Sequence, residues 1–210
     1  MRNIVATLVL LVCAQAGNHK DKCISAWRTE ATTPGFRDRF ERLNPNFDYS
    51  SSSLVHAVIM GIENETEGEL GERKEAILYL LGKGANIDAH DDEERGQTAL
   101  HAAARGCGLL EFLLEKKANM EEKDKYGLTP LLSAASAGII ANVETLLKAG
   151  ANPLAVSNSG DSGLHLAAYG GGKNFDKVVA VFRRYGNDSA FTLKNKNGRT
   201  ADFINSYENY

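Results

Sequence analysis

Beyond residue 50 the apolar positions fall into paired clusters that recur along the chain. Four segments share one spacing: Ser52-Ser53-Leu54-Val55-His56-Ala57-Val58, Thr98-Ala99-Leu100-His101-Ala102-Ala103-Ala104, Thr129-Pro130-Leu131-Leu132-Ser133-Ala134-Ala135 and Ser162-Gly163-Leu164-His165-Leu166-Ala167-Ala168. Each is followed by a second apolar stretch, Ile77–Leu81, Leu109–Leu114, Val143–Leu147 and Val178–Phe182, and then by a stop of small residues such as Gly150-Ala151-Asn152. The order predicts a short helix, a turn, a second helix and a loop in every unit. Gly96, Gly127 and Gly160 mark the period, 31 and 33 residues apart.

A period near 33 built on the Thr-Pro-Leu-His-x-Ala-Ala pattern resembles the ankyrin repeat family, and the resemblance covers about residues 50–205. The fold it implies is all-α. It is a solenoid of about four helix-turn-helix repeats (about 50–86, 96–126, 127–159 and 160–197) within an ankyrin domain of 49–210. A partial repeat, 198–210, caps the C-terminal end. Residues 17–48, with Trp27, Phe36, Phe40 and Phe47, match no repeat and read as an N-terminal capping segment.

The anchors of the repeat have structural chemistry. Thr98, Thr129, Ser162 and Thr200 stand where a hydroxyl caps a helix, and Pro130 suits the first helical turn. Leu54, Leu100, Leu131 and Leu164 point between layers, and the alanine pairs let neighbouring repeats stack closely. Gly84, Gly150 and Gly186 suit a left-handed residue after the second helix, and Lys117 would carry strain at that position. His101 and His165 occupy the family's histidine position, which implies a ring bonded to nearby backbone. His56 is shifted by one place and would face the inner groove, as a ligand contact or simply exposed. Met120–Tyr126 and Pro153–Ser159 should form projecting hairpin loops.

Departures from the pattern carry the functional candidates. An insertion around Ile62–Glu72 brings Glu63, Glu65, Glu67 and Glu69 into the first repeat, as a solvated loop or as an acidic arm that steers a basic partner. Leu154, Val156, Phe191 and Leu193 fall in the last loops, either as exposed binding anchors or buried against one another. Arg105 and Tyr169 hold equivalent groove-facing positions and are residue types enriched at binding hot spots.

Composition adds one correction to this picture. Of the 210 residues 43% are hydrophobic, and the net charge of −3 gives no case for binding a polyanion. That total averages opposite ends: residues 54–95 hold 11 acidic and 4 basic side chains, whereas 160–197 hold 3 and 6. Arg2, the apolar run from Ile4 to Val12 and the small residues Ala14 and Ala16 read as a secretory signal, 1–16, cleaved near Ala16-Gly17. Outside it stand Cys23 and Cys107, either a disulfide or two thiols.

No nucleophile–base pair, metal-ligand spacing or cofactor loop lies outside the anchors, and the Gly170-Gly171-Gly172 run lacks a preceding strand. The expectation is therefore a non-enzymatic, secreted or periplasmic protein, monomeric when unbound, that binds another protein through the groove and loop tips. It takes no cofactor or metal, binds no nucleic acid and meets no membrane beyond export. An inhibitor or immunity-type role is the sharper form, a secreted effector engaging host proteins is the alternative, and an enzyme or accessory subunit ranks last.

Overall fold

The computed structural model describes residues 67–91, 95–106, 108–170 and 174–208. Helices α1 (Glu67–Gly82), α3 (Leu110–Glu115), α5 (Ile140–Lys148) and α7 (Phe175–Tyr185) alternate with α2 (Ala99–Ala104), α4 (Pro130–Ala137), α6 (Gly163–Tyr169) and α8 (Ala201–Glu208). A 3₁₀ turn over Asp188–Thr192 follows α7. The even-numbered helices pack in sequence, α2 on α4, α4 on α6 and α6 on α8, while α5 packs on α7 in an outer row. The chain is an all-helical solenoid of helix-turn-helix repeats.

Its core runs through the whole stack instead of closing around one centre. Leu80, Leu100, Leu113, Leu131, Leu146, Leu164 and Phe182, one or more from each successive layer, belong to a single buried cluster. Ala103, Ala104, Ala134, Ala135 and Ala168 are completely buried between inner helices, where a larger side chain would hold the rows apart. Short helices of six to nine residues are marginal by themselves, so this lateral burial stabilises them.

Side chains also tie layer to layer at helix ends, where backbone groups lack intrahelical partners. Asn142 Nδ2 donates to the carbonyls of Ala103 and Ala104 at 3.2 and 2.9 Å, closing the C-terminus of α2 from the next repeat. Asn174 Nδ2 repeats the device on Gly138 O at 3.1 Å. The two asparagines lie 32 residues apart, a period that sequence reading passed over.

Three expectations are revised or settled here. The insertion of the first repeat is not a loop throughout. Its Glu67–Glu72 half is helical, within the 16-residue α1. Gly186 has φ −91° and ψ −145°, outside the left-handed region. Glycine serves there by close approach, since a Cβ would stand 2.5 Å from Phe182 O. Lys117, by contrast, adopts φ +66°, as its position in the repeat required. Lys117→Gly is expected to stabilise the fold by about 0.5–1 kcal/mol, because relief of the left-handed strain exceeds the added unfolded-state entropy. The check is a urea midpoint that rises while the slope m stays constant.

Candidate functional site

Each repeat begins at a loop finger whose shape is set by one polar side chain at its base. Asp124 Oδ1 accepts the backbone N–H groups of Tyr126 and Leu128 at 2.9 and 2.8 Å. Ser157 Oγ does the same for Ser159 and Asp161, and Asn195 Oδ1 for Asn197 and Arg199. Asp91 takes the N–H of Gln97 at 3.0 Å. These are side-chain-closed turns, a use to which Asp, Asn and Ser are suited. Asp91, Asp124 and Ser157 recur every 33 residues, a signal hidden in the sequence by the change of residue type.

The tips are then joined into a row. Lys125 N donates to Arg95 O at 2.9 Å, Asn158 N to Tyr126 O at 2.9 Å, and Lys196 N to Ser159 O at 3.1 Å. Met120–Tyr126 and Pro153–Ser159 thus form the expected fingers, although their pairing is confined to turns and one isolated bridge, Val156 to Ser162. The Arg95 guanidinium lies over the Tyr126 ring, 5.7 Å from its centroid, a cation–π contact that steadies both at the finger tips.

Histidine couples fingers to inner helices. Nδ1 of His101 accepts from the Thr98 backbone N–H at 3.2 Å and pairs with Thr98 Oγ1 at 2.8 Å. Nε2 meets Leu128 O, in the next repeat, at 2.8 Å. With Nδ1 accepting, the proton sits on Nε2. His165 repeats the arrangement with Ser162 and with Arg199 O at 2.8 Å. Histidine here fills the place that Glu or Gln holds in the usual capping box. Burial lowers the His101 pKa below its ordinary value, against the hydrogen bond to Leu128, which raises it. Both nitrogens of both rings are occupied by structural bonds, so neither histidine is placed to work as a base.

The concave side is lined by the outer ends of the inner helices and by the tips. Arg105 ends α2 and Tyr169 ends α6, both exposed, with Ser136 at the equivalent place on α4. Asn195 Nδ2 donates to Tyr169 Oη at 3.3 Å, which orients that ring from the last finger. Among the described residues the exposed large hydrophobic side chains are Leu78, Tyr126, Tyr169 and Phe203. Tyr126 was missed from the sequence. Its place before Gly127, equivalent to Arg95 before Gly96, would have marked it as a tip.

Four other candidates allow two readings in the sequence, exposed anchors or mutual burial, and stand between them. Leu154, Val156, Phe191 and Leu193 are not exposed anchors but half-buried, and Leu154 and Phe191 pack against the main core. For Leu154 and Phe191 this packing makes their apolar character serve stability. His56, Glu63, Glu65, Cys23 and Cys107 lie outside the described residues, and Glu67 and Glu69 are placed in α1. The anchors Leu100, Thr129, Pro130, Leu131, Leu164, Gly127 and Gly150 stand where the repeat placed them, with Gly127 and Gly150 at φ +75° and +97°.

Among the described residues no helix is long and apolar enough to cross a membrane, and no group of three or more His, Cys, Asp or Glu side chains could hold a metal ion. Residues 69–157 match the family profile described as ankyrin repeats (3 copies). The chain is 28% identical over 159 residues to the E3 ubiquitin-protein ligase KEG of Arabidopsis thaliana, covering 73% of this chain and 9% of that protein. It is 29% identical over 171 residues to neurogenic locus notch homolog protein 1 of Danio rerio, covering 77% and 7%. Over 94 residues it is 42% identical to the ankyrin repeat and KH domain-containing protein mask of Drosophila melanogaster, covering 44% and 2%. The chain thus spans less than a tenth of the length of these curated relatives. The repeating fingers, the histidine links and the profile match agree on one architecture: this chain has the ankyrin-repeat fold.

Proposed function

We propose that this protein is exported and covers a partner protein with its concave face, as an inhibitor or immunity-type binder that is monomeric until it meets its target. The observation that carries the groove reading is the row of Arg95, Tyr126, Arg105 and Tyr169. These are exposed or half-exposed aromatic and arginine side chains, of which Arg95 and Tyr126 are held by their mutual cation–π contact and Tyr169 by Asn195. Such residue types on a rigid frame supply binding energy with little ordering cost. Export rests on the sequence of residues 1–16. The acidic balance of residues 54–95 favours a partner whose facing surface is basic at that end.

The test has two arms. The full chain, expressed with its own leader and recovered from the extracytoplasmic fraction, is expected to begin at Gly17; recovery with Met1 intact would end the export reading. The captured partner is then titrated against variants. Tyr126→Ala and Tyr169→Ala are each expected to weaken binding about tenfold or more, with unchanged thermal unfolding. Full affinity in both variants would move the interface off this face.

A further inference from the structure

One pocket in the groove gathers two arginines and two serines. Between the second and third repeats, Arg95, Arg105, Leu128, Ser133, Ser136 and Ala137 line a pocket of about 70 Å³. Cofactors and drug-sized ligands need about 300 Å³ or more, so this volume admits a single head group and no larger molecule.

The formal charge of the wall is positive, from Arg95 and Arg105. Leu128 O, the wall's potential acceptor at that edge, already receives His101 Nε2–H at 2.8 Å and Asp124 N–H at 2.9 Å. His101 is neutral behind it, and the Asp124 carboxylate is turned into its finger by the N–H groups of Tyr126 and Leu128. The two guanidinium groups supply the charge at this edge. Among the described residues neither Arg95 nor Arg105 forms an ion pair, and the Tyr126 ring already fixes the Arg95 guanidinium. Ser133 adds an independent sign: its side chain is on a residue only 5% exposed, on the pocket wall, and its hydroxyl has no hydrogen-bond partner among the described residues. A buried hydroxyl without a partner is uncommon, and a group that enters the pocket can complete it.

Two guanidinium groups and a buried hydroxyl favour an oxyanion, and the Leu128 carbonyl beside them is already saturated. Because the groove is read as a protein-binding face, we propose that this pocket receives the carboxylate of an acidic residue in the partner's bound segment. The partner is then of mixed charge, with an acidic side chain seated on the second and third repeats. The inference rests on the groove reading above and adds to it a position and a charge.

Fluorescence anisotropy of a fluorescein-labelled hexaglutamate peptide with the full chain tests it, alongside the backbone amide resonance of Ser133. The peptide is expected to bind, to shift that resonance, and to lose about tenfold or more in affinity in an Arg95→Gln/Arg105→Gln variant. Arg105→Lys, which keeps charge but not the planar fork, should fall between. A Lys194→Gln/Lys196→Gln variant removes the same charge from the fourth repeat and should retain the affinity; an equal loss there means diffuse attraction and overturns the pocket. Hexaglutamine that binds as well, or no binding of hexaglutamate, also overturns it. If inorganic phosphate displaces the peptide at concentrations at which acetate does not, the site belongs to phosphate and the carboxylate proposal fails. Circular dichroism confirms that each variant is folded. Failure of the pocket is separable from failure of the groove: arginine variants without effect, but Tyr126→Ala and Tyr169→Ala with loss of the captured partner, refute only the pocket.

Discussion

His101→Ala is expected to lower the stability of the array by about 3 kcal/mol, one of the two largest effects of a single substitution predicted for this protein. The ring is completely buried and makes contacts in two directions. Its Nδ1 closes the N-terminus of α2 through Thr98, and its Nε2–H holds Leu128 O across the repeat boundary. Alanine leaves a cavity, an open cap and a buried carbonyl reduced to one partner. Each of these costs on the order of 1 kcal/mol or more. Urea unfolding followed by circular dichroism measures the loss. A change below about 1 kcal/mol would mean that the histidine fills space and little else.

The same residue gives the effect a pH signature. Its folded pKa is depressed, chiefly by burial, below the value near 6.5 that it has in the unfolded chain. As pH falls through that value the unfolded state gains a proton that the folded state does not, so stability present above it is lost until the folded pKa is reached. Stability should therefore decline on acidification from about pH 7 toward 5, and the decline should be shallower in His101→Leu. Leucine is the informative replacement because the third repeat already holds Leu132, completely buried, at the equivalent position. That residue joins Leu128 and Ala155 in a small apolar cluster, so one slot of the fold accepts either a hydrogen-bonded or an apolar solution.

Gly127→Ala is the second large effect, expected to cost about 3 kcal/mol from two sources that add. The residue has φ +75°, where a Cβ is strained, and that Cβ would stand 2.4 Å from Asn158 Oδ1 and 2.7 Å from Asn158 N. Asn158 cannot retreat cheaply, because its N–H is bonded to Tyr126 O and its Nδ2 to Lys125 O. The substitution therefore separates two finger tips as well as straining a turn. Gly150→Ala is the control: φ is +97° there, but a Cβ meets nothing within 4 Å, so only the backbone cost of about 1 kcal/mol remains. Equal losses in the two variants would show that the close approach between fingers is not what the glycine is for.

Much of the fold was legible because each repeat must solve the same local problem with the same kinds of residue. Thr129 accepting from Leu132 N–H at 3.4 Å, Pro130 in the first turn and the buried alanine pairs follow from helix-end chemistry and close packing, which act within a few residues. The groove was less legible. Arg105 and Tyr169 were found by their register, but Tyr126 and Arg95 depend on which loop residue becomes a tip. Leu154 and Phe191 stayed ambiguous because an apolar residue in a loop reads alike whether it points to solvent or, as here, packs against the core.

The sequence by itself determined the repeat period, the paired helices, the capping residues and the positions that need glycine or tolerate strain, Lys117 at φ +66° included. All of these are short-range matters of backbone geometry and hydrophobic spacing. Only the tertiary structure decided which side chains meet across repeats: His101 with Leu128, Asn142 with the end of α2, Arg95 with Tyr126, and the two arginines around Ser133. Those partners lie about one period apart in the chain, and the stacking angle that brings them together is set by the packing of the whole array.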